Sequence, residues 1–295
     1  MFRGSGTRSK TLKLLETLRG SYKPCDEEAW MLAELAKLNK LYLAYLRAVK
    51  EVLEHELLRE EARYRWFMRN ALEVVNALKG LSYALHKFRK PVEHVSVDLD
   101  VLISRGDAPR AVRALRERGF RVVVLEPYTV TLARGGFVVD LYTEPSFAWV
   151  VYVDGGRLLR EHVEEVEVSG FQARALTREA EVVVGAAHAV YKEHTVLLMD
   201  CLVAWSWVNR EVWGLAVYQG VEKALEELLR TCSLVKDGVV EAPCKLKPHV
   251  VLEAYLEKLL RDPYFRGTLP NILKYLAKRQ DIGERIITRI TRRSY

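Results

Sequence analysis

Two aspartates, Asp98 and Asp100, stand two residues apart in a valine- and leucine-rich segment that runs from residue 92 to residue 103. This composition predicts a β-strand, and successive strand side chains point to opposite faces. The two carboxylates are therefore expected on one face, about 7 Å apart at the backbone, with aliphatic side chains on the other. Burying two negative charges without a partner is costly, so such a pair favours a bound cation. Magnesium, which takes hard oxygen ligands at about 2.1 Å, is the cation we expect.

A third carboxylate, Asp140, lies in residues 137–142, where Val139 and Leu141 predict another strand. If this strand lies beside the first, Asp140 comes close to Asp98 and Asp100. Three convergent carboxylates can hold two divalent ions about 4 Å apart. One ion would neutralise phosphate oxygens, and the other would lower the pKa of an attacking hydroxyl. The three residues are therefore predicted to form a catalytic metal site at which Asp140 helps to deprotonate that hydroxyl.

These residues must be positioned by a sheet and by the helices around it. Apolar residues at helical spacing predict helices over 26–60 and 64–88, the second bent near Lys79-Gly80 and closed by Pro91. A helix ending at Gly119 is expected over 108–118. Alternating patterns predict the following strands: 120–125, 129–133, 137–142, 149–153 and 163–168. Helical patterns return in four later segments, with a loop over 234–243: 178–213, 222–229, 249–261 and 270–293.

The order of these elements predicts an α+β fold. A small mixed β-sheet would form the core, flanked by helical regions at both ends of the chain. We expect an N-terminal helical region over 1–63, an α/β core over 64–177 and a C-terminal helical domain with a basic tail over 178–295.

Bulk composition is that of an ordinary globular protein, with 295 residues of which 49% are hydrophobic. No apolar stretch is long enough to span a bilayer, and the N-terminus lacks the apolar core of a signal peptide. We therefore expect a cytoplasmic protein without a membrane partner. Asparagine and glutamine are scarce while arginine, glutamate and valine are plentiful, a thermophile-like composition.

The net charge of +7 is unevenly distributed. Residues 1–25 contain six basic residues and one acidic residue, and residues 245–295 contain twelve and five. Basic ends suit RNA, and the amphipathic tail 271–293 could grip its phosphates. The alternative is that these charges belong to solvated helix faces.

None of the four cysteines forms a Cys-x-x-Cys pair, so a structural zinc site is not expected. A disulfide between Cys232 and Cys244 is possible on spacing alone. The tryptophans Trp205, Trp207 and Trp213 are expected in the core rather than as a base-stacking platform.

Together, these motifs resemble the nucleotidyltransferase superfamily of the DNA polymerase β type, and in particular its small uncharacterised prokaryotic and toxin-type members. The resemblance spans residues 66–210. It rests on Leu78-Lys79-Gly80 and Ser82, on Asp98-Leu99-Asp100, on the later Asp140, and on a helix carrying His188, Lys192 and Asp200. Where this chain has Leu78-Lys79-Gly80, other members of the superfamily carry Gly-Ser.

The resemblance implies transfer of NMP from an NTP to a hydroxyl, with release of pyrophosphate. ATP or another NTP would be the substrate, and two Mg²⁺ ions would be held by Asp98, Asp100 and Asp140. The remaining matches would bind the nucleotide: Lys79, Gly80, Ser82, His188 and Lys192. An RNA or tRNA end is the favoured acceptor, with a small molecule or a protein as alternatives.

Two other hypotheses use the same residues. In phosphatases of the haloacid dehalogenase type, an Asp-x-Asp supplies the nucleophile and the acid, but here the strand continues through Val101-Leu102-Ile103 instead of Gly-Thr. A catalytically degenerate nucleotidyltransferase fold could instead bind RNA or a protein. The sequence does not indicate which NTP is used or the oligomeric state.

Overall fold

The computed structural model describes residues 9–278, and its centre is a seven-stranded mixed sheet. The sheet strands are β1 (Tyr83–Leu85), β2 (Leu99–Ile103), β3 (Arg121–Leu125), β4 (Thr129–Arg134), β5 (Phe137–Tyr142), β8 (Val163–Val168) and β9 (Phe171–Leu176). Their order in the sheet is β3-β4-β5-β2-β1-β9-β8, which places β2, the strand of the Asp-x-Asp motif, in the middle. Short two-stranded pairs are formed by β6 (Ser146–Phe147) with β7 (Val150–Val151), and by β10 (Thr195–Val196) with β11 (Cys244–Lys245).

Helices precede, interrupt and follow the sheet. Those before and within it are α1 (Lys10–Leu18), α2 (Asp26–Leu38), α3 (Tyr42–Ala48), α4 (Glu54–Ala77), α5 (Ala108–Glu117) and α6 (Gly155–Glu161). Those after it are α7 (Arg178–His188), a π-helix (Ala189–Glu193), α8 (Leu198–Trp207), α9 (Arg210–Tyr218), α10 (Glu222–Lys236), α11 (Pro248–Arg261), α12 (Pro263–Thr268) and α13 (Asn271–Lys278). The predicted α+β class, a mixed sheet flanked by helices, is confirmed.

The hydrogen-bond register of the central strands positions the acidic residues. β2 pairs in parallel with β5, and Asp100 is the direct partner of Asp140. On its other side β2 pairs antiparallel with β1, so the end of β1 at Leu85 lies beside the start of β2. Residues before Leu99 and after Leu85 therefore meet at one edge of the sheet.

Two hydrophobic clusters support the sheet. One contains α4 and α5, whose apolar residues such as Phe67, Val74 and Leu115 pack against Val101 and Val139. The other joins the N-terminal helices to α7, α8 and α10, through fully buried residues such as Leu32 and Leu228. At about 25 cal/mol per Å² of apolar surface removed from water, burial on this scale is the main stabilising contribution.

The N-terminal helices pack directly against the C-terminal ones. Glu241 accepts hydrogen bonds from the backbone N–H groups of Lys10 and Thr11 at the start of α1. The amide of Asn39 donates to the carbonyl of Ala242, and its oxygen accepts from the N–H of Leu198. The first predicted region thus shares a core with the third, and the three-part division of the chain stays a prediction.

Two predictions around the acidic strand were wrong in their boundaries. The helix expected over 64–88 ends at Ala77, because Gly80 adopts a φ of +81° and the chain then forms β1. The strand expected over 92–103 includes only Leu99–Ile103. Val97 is 70% exposed, so the aliphatic face is not continuous and the preceding residues form a loop.

Other boundaries also changed. The helix predicted over 26–60 is broken at Lys40, which has a φ of +58°, and again before Glu54. The helix predicted over 178–213 contains the π-helix and β10, and the loop predicted over 234–243 begins after Lys236. The helix α6, capped by Asp154, lies between the segments predicted as strands 149–153 and 163–168, and β9 was not predicted. The tail over 279–293 lies outside the described residues.

The tryptophans of α8 and α9 are partly buried and pack against the cluster that joins the N-terminal helices to α7, α8 and α10. Within residues 9–278, no helix is long and apolar enough to cross a membrane.

The suggested Cys232–Cys244 pairing is wrong. Cys232 of α10 pairs with Cys201 of α8, with Cα atoms 5.2 Å apart, and Cys25 and Cys244 are free. Both paired residues are buried at the contact between the two helices. The helical packing brought Cys201 close to Cys232, which no sequence spacing could indicate.

Counting thiols tests this pairing. A thiol reagent applied under denaturing, non-reducing conditions should label two cysteines, and after reduction it should label four. Peptide mapping should show that the two cysteines labelled before reduction are Cys25 and Cys244. Labelling of all four before reduction would contradict the Cys201–Cys232 bond.

Candidate active site

Asp98, Asp100 and Asp140 meet at the edge of the sheet where β1 ends. One carboxylate oxygen from each lies within 4.8 Å of the other two. Asp100 and Asp140 are brought together by the parallel register of β2 and β5, and Asp98 by its place just before β2. The convergence expected from the sequence is therefore present, and Asp100 is its most buried member.

Neighbouring hydroxyl groups orient two of the carboxylates. Thr131 on β4 donates from Oγ1 to Oδ1 of Asp140 at 2.5 Å, and the hydroxyl of Tyr142 donates to Oδ2 at 3.2 Å. Ser96 Oγ lies 3.4 Å from Oδ1 of Asp98. Asp140 is thus fixed by its neighbours on the sheet, whereas Asp98 is held by the loop before β2.

Lys87 is the residue that sequence analysis missed. It lies two residues after the end of β1, adopts a φ of +55°, and brings its Nζ to 2.8 Å from Oδ2 of Asp100. The N–H of His86 donates to the carbonyl of Asp100 at 3.1 Å, which extends the β1–β2 pairing to this point. Lys87 was missed because the sequence predicts a helix over 64–88, whereas the structure has β1 and then the loop that carries this lysine.

Burial and mutual repulsion shape the protonation of the site. Burial and the neighbouring carboxylate of Asp100 raise the pKa of Asp98. Burial alone would also raise the pKa of Asp100, but Lys87 beside it holds the pKa below its usual range. Burial alone would lower the pKa of Lys87, yet Asp100, Tyr152 and Asp98 raise it above its ordinary value. Lys87 is therefore a permanent positive charge that offsets one of three negative charges.

The cluster has the ligands and the unmet charge that a divalent ion requires. Asp100 Oδ1 is buried and has no hydrogen-bond partner within the described structure. Lys87 contacts only the other oxygen of that carboxylate. A buried carboxylate oxygen without a partner is costly, and hard oxygen ligands of this kind suit Mg²⁺. These residues therefore fit the metal site predicted for them.

A cavity of about 250 Å³ adjoins the carboxylates and is rich in lysine. Its cations come from several parts of the chain: Lys40 between α2 and α3, Lys87 and Lys90 after β1, and Lys192 on the π-helix. His188 lines the same cavity, and burial lowers its pKa well below the ordinary value, so the ring is neutral. The structure thus brings His188 and Lys192 to the carboxylates.

Lys79, Gly80 and Ser82 lie elsewhere. They precede β1, whereas the carboxylates lie beyond its other end, and they line a separate cavity with Asp107 and Arg174. The N–H of Ser82 donates to Oδ2 of Asp107 at 2.9 Å. The structure does not bring these three residues together with the carboxylates.

Asp200 also has a structural contact. Its Oδ2 accepts a hydrogen bond from the N–H of Leu197 at 2.9 Å, at the start of α8. It lines the lysine-rich cavity, and burial raises its pKa.

A buried glutamate holds the loop that carries Lys87. Oε1 of Glu181, on α7, accepts from the N–H groups of Phe88 at 3.2 Å and Arg89 at 3.4 Å. Glu181 is fully buried, and this burial raises its pKa above the ordinary value. The helix after the sheet therefore fixes the backbone next to the active-site lysine.

The charge balance predicts the behaviour of a Lys87 variant. Lys87→Met removes the partner of a buried carboxylate and should lower the free energy of unfolding by about 3 kcal/mol without metal. Millimolar Mg²⁺ should restore part of this loss, because a divalent cation can replace the missing charge. Chemical denaturation with and without Mg²⁺ measures both effects. Lys79→Met, at an exposed lysine before β1, is the control, and its free energy of unfolding should stay close to that of wild type. A Lys87→Met protein as stable as wild type would contradict the role of Lys87 as the counterion of Asp100.

The raised pKa of Glu181 predicts a pH dependence of stability. The folded state keeps this proton more tightly than the unfolded state, whose pKa is near 4.5. The stability that Glu181 contributes is therefore complete below pH 4.5 and is lost as the pH rises through the folded-state pKa. Glu181→Gln cannot ionise and keeps the acceptor oxygen, so its stability should fall less between pH 5 and pH 8.

Urea denaturation across this pH range checks the prediction. Glu117→Gln, at an exposed position of α5, should follow the wild-type pH profile. Identical profiles for wild type and Glu181→Gln would contradict the buried, proton-binding role of Glu181.

The sequence matches none of the curated proteins. Among solved structures, the antibiotic-resistance factor ANT(2'')-Ia is similar over 61% of this chain and 96% of its own, with 13% identity and a TM-score of 0.33. A family described as uncharacterised nucleotidyltransferases matches residues 54–233, from the first residue of α4 into α10. This match covers more than half of the chain, which therefore belongs to this nucleotidyltransferase family.

Proposed function

We propose that this protein is a Mg²⁺-dependent transferase that moves NMP from an NTP to a hydroxyl acceptor and releases pyrophosphate. Family membership supports nucleotidyl transfer in general. The observation that carries the proposal is the convergence of Asp98, Asp100 and Asp140, with one oxygen of each within 4.8 Å of the others. A phosphatase of the haloacid dehalogenase type is not supported, because the chain belongs to a transferase family.

The three carboxylates would hold one or two Mg²⁺ ions. When bound, the metal supplies charge neutralisation at the phosphates and lowers the pKa of the acceptor hydroxyl. Lys87 would remain as the counterion of Asp100, since its ammonium group lies 2.8 Å from that carboxylate. The hydroxyls of Thr131 and Tyr142 would keep Asp140 oriented towards the other two carboxylates.

The lysine-lined cavity is suited to the triphosphate. Lys40, Lys90 and Lys192 line it together with Lys87, and only Glu193 and Asp200 add negative charge beyond the carboxylate cluster. Charge-assisted contacts from several lysines stabilise phosphate oxygens. The predicted roles of Lys192 and His188 in nucleotide binding are therefore part of this proposal.

The proposed reaction is an in-line displacement. The acceptor oxygen forms a bond to the α-phosphorus while the bond from that phosphorus to the leaving pyrophosphate oxygen breaks. The hydroxyl proton passes to the carboxylate of Asp140, which lies beside Asp98 and Asp100. Lysines at the phosphates stabilise the charge that develops on pyrophosphate.

An RNA acceptor was predicted from the basic ends of the chain. Part of that charge lies in residues 1–8 and 279–295, outside the described residues. Of the described N-terminal lysines, Lys13 pairs with Glu28 and Lys23 with Glu51. An RNA acceptor is therefore supported by net charge alone, and labelling of bulk tRNA tests it.

Nucleotide binding and transfer test the proposed function. Calorimetry with each of the four NTPs and Mg²⁺ should show binding to wild type. Asp100→Asn should weaken this binding at least tenfold, because a metal ligand is lost and about 1.4 kcal/mol corresponds to tenfold. Transfer of label from the α-phosphate to an acceptor should fall by about 10³-fold in Asp140→Asn, since several kcal/mol of stabilisation are lost.

The matched control is Asp237→Asn, at an exposed aspartate after α10, and it should behave as wild type. Equal NTP binding by wild type and Asp100→Asn would defeat the proposal. If no NTP binds and no label is ever transferred, but RNA binds with a steep salt dependence, the chain is a degenerate binding module instead.

A further inference from the structure

A second cavity also reaches the carboxylates. Asp98 and Asp100 line both this cavity and the lysine-lined one, and the two share the loop after β1. The lysine-lined cavity extends towards α7 and the π-helix, whereas the second extends towards α4 and the β8–β9 turn. Its volume is about 340 Å³, which lies within the range of small-molecule sites. The carboxylate cluster therefore lies where two different compartments meet.

The second cavity has charged and polar residues towards the carboxylates and an aromatic, apolar wall away from them. Six side chains from four parts of the fold form this wall: Tyr64, Phe67, Met68, Phe88, Val168 and Trp207. Aromatic walls bind flat molecules by stacking and by removing apolar surface from water. Such walls contrast with the lysines on the other side of the carboxylates.

Lys87 and Lys90 line both cavities, and the two arginines that line the second cavity alone, Arg89 and Arg178, have partners within the described structure. Arg89 forms an ion pair with Glu164, and Glu93 forms one with Arg47. The guanidinium of Arg178 lies 5.9 Å from the centre of the Trp207 ring. A nucleic-acid backbone needs cations available for its phosphates. The cavity does not offer a track of that kind.

His86 supplies a buried polar group without a partner inside this cavity. It lines the cavity, is 3% exposed, and neither ring nitrogen has a hydrogen-bond partner in the part of the chain that the structure describes. A neutral imidazole offers one donor and one acceptor. A buried imidazole without partners is costly, so a polar group of a bound molecule would satisfy it.

We propose that the second cavity binds the acceptor, and that the acceptor is a small molecule carrying its hydroxyl on a flat, largely apolar body. The inference rests on the proposed function, because it assigns the triphosphate to the lysine-lined cavity. An acceptor in the second cavity presents its hydroxyl to Asp98 and Asp100 from the other side. The hydroxyl oxygen then bonds to the α-phosphorus as the bond from that phosphorus to the leaving pyrophosphate breaks, and the hydroxyl proton passes to the carboxylate of Asp140. His86 hydrogen-bonds a polar group of the same molecule.

Binding of 2-naphthol, a flat hydroxyl compound, tests the assignment. Its fluorescence anisotropy should show saturable binding to wild type. Val168→Trp, which fills the cavity, should weaken this binding at least tenfold while Mg²⁺-ATP binding by calorimetry stays within twofold of wild type. Val123→Trp, the same change on the exposed strand β3, should leave both unchanged. Lys192→Ala should weaken ATP binding and leave 2-naphthol binding intact.

A thermal melt establishes that Val168→Trp is folded, and Phe88→Ala, which removes an aromatic wall, gives an independent variant with the same expected loss. Equal 2-naphthol binding by wild type and both variants would overturn the inference. So would loss of ATP binding in Val168→Trp, which would assign the cavity to the nucleotide, or labelling of bulk tRNA that survives that substitution. If ATP binds to no form of the protein, the proposed function fails, while the 2-naphthol comparison still reports on the cavity.

Discussion

The parallel pairing of β2 with β5 is the constraint on which the rest of the site depends. It makes Asp100 the direct neighbour of Asp140 in the middle of the sheet, where backbone hydrogen bonds on both sides fix the two strands. The two carboxylates repel each other, and Asp98 adds a third charge. Sheet formation and the burial of apolar residues on both faces must offset this electrostatic cost. A cation bound at such a cluster therefore stabilises the folded protein, because it offsets the repulsion between the carboxylates.

The surrounding elements reduce this electrostatic cost and place positive charge beside the carboxylates. Lys87 neutralises one carboxylate, and Glu181 of α7 fixes the loop that carries it. Lys40, from outside the segment that matches the family, and Lys192 add positive charge to the adjoining cavity. The N-terminal and C-terminal helices thus form one shared support, and both contribute to the compartment assigned to the triphosphate.

Sequence reasoning identified the three carboxylates because strand alternation and the Asp-x-Asp spacing are local signals. It also predicted the α+β class, since the change from helical to alternating periodicity is clear. It missed Lys87 because β1 is only three residues long, so the glycine at position 80 was interpreted as a bend within one helix rather than as the end of that helix. The Cys201–Cys232 bond and the separation of Lys79 from the carboxylates depend on tertiary packing, which one sequence does not specify.

Two other differences between the predicted and the observed strands concern where β2 begins and why β9 was not predicted. Val97 was expected on an inner face, but the chain enters the sheet only at Leu99 and leaves Val97 exposed. The β9 segment alternates Phe171, Ala173 and Ala175 with polar Gln172 and Arg174, but alanine has a low strand propensity and the strand was not recognised. Alternation alone indicates where a strand could form, whereas the neighbouring strands decide where it begins.

The most direct test of the central claim is metal binding at the carboxylate cluster. Mn²⁺, which takes the same oxygen ligands as Mg²⁺, can be titrated into the nucleotide-free protein and followed by electron paramagnetic resonance. The account predicts saturable binding to wild type, displaced by excess Mg²⁺ and lost when Asp98 and Asp140 are both replaced by asparagine. Mn²⁺ binding that is absent from wild type, or that is equal in the double variant, would contradict it.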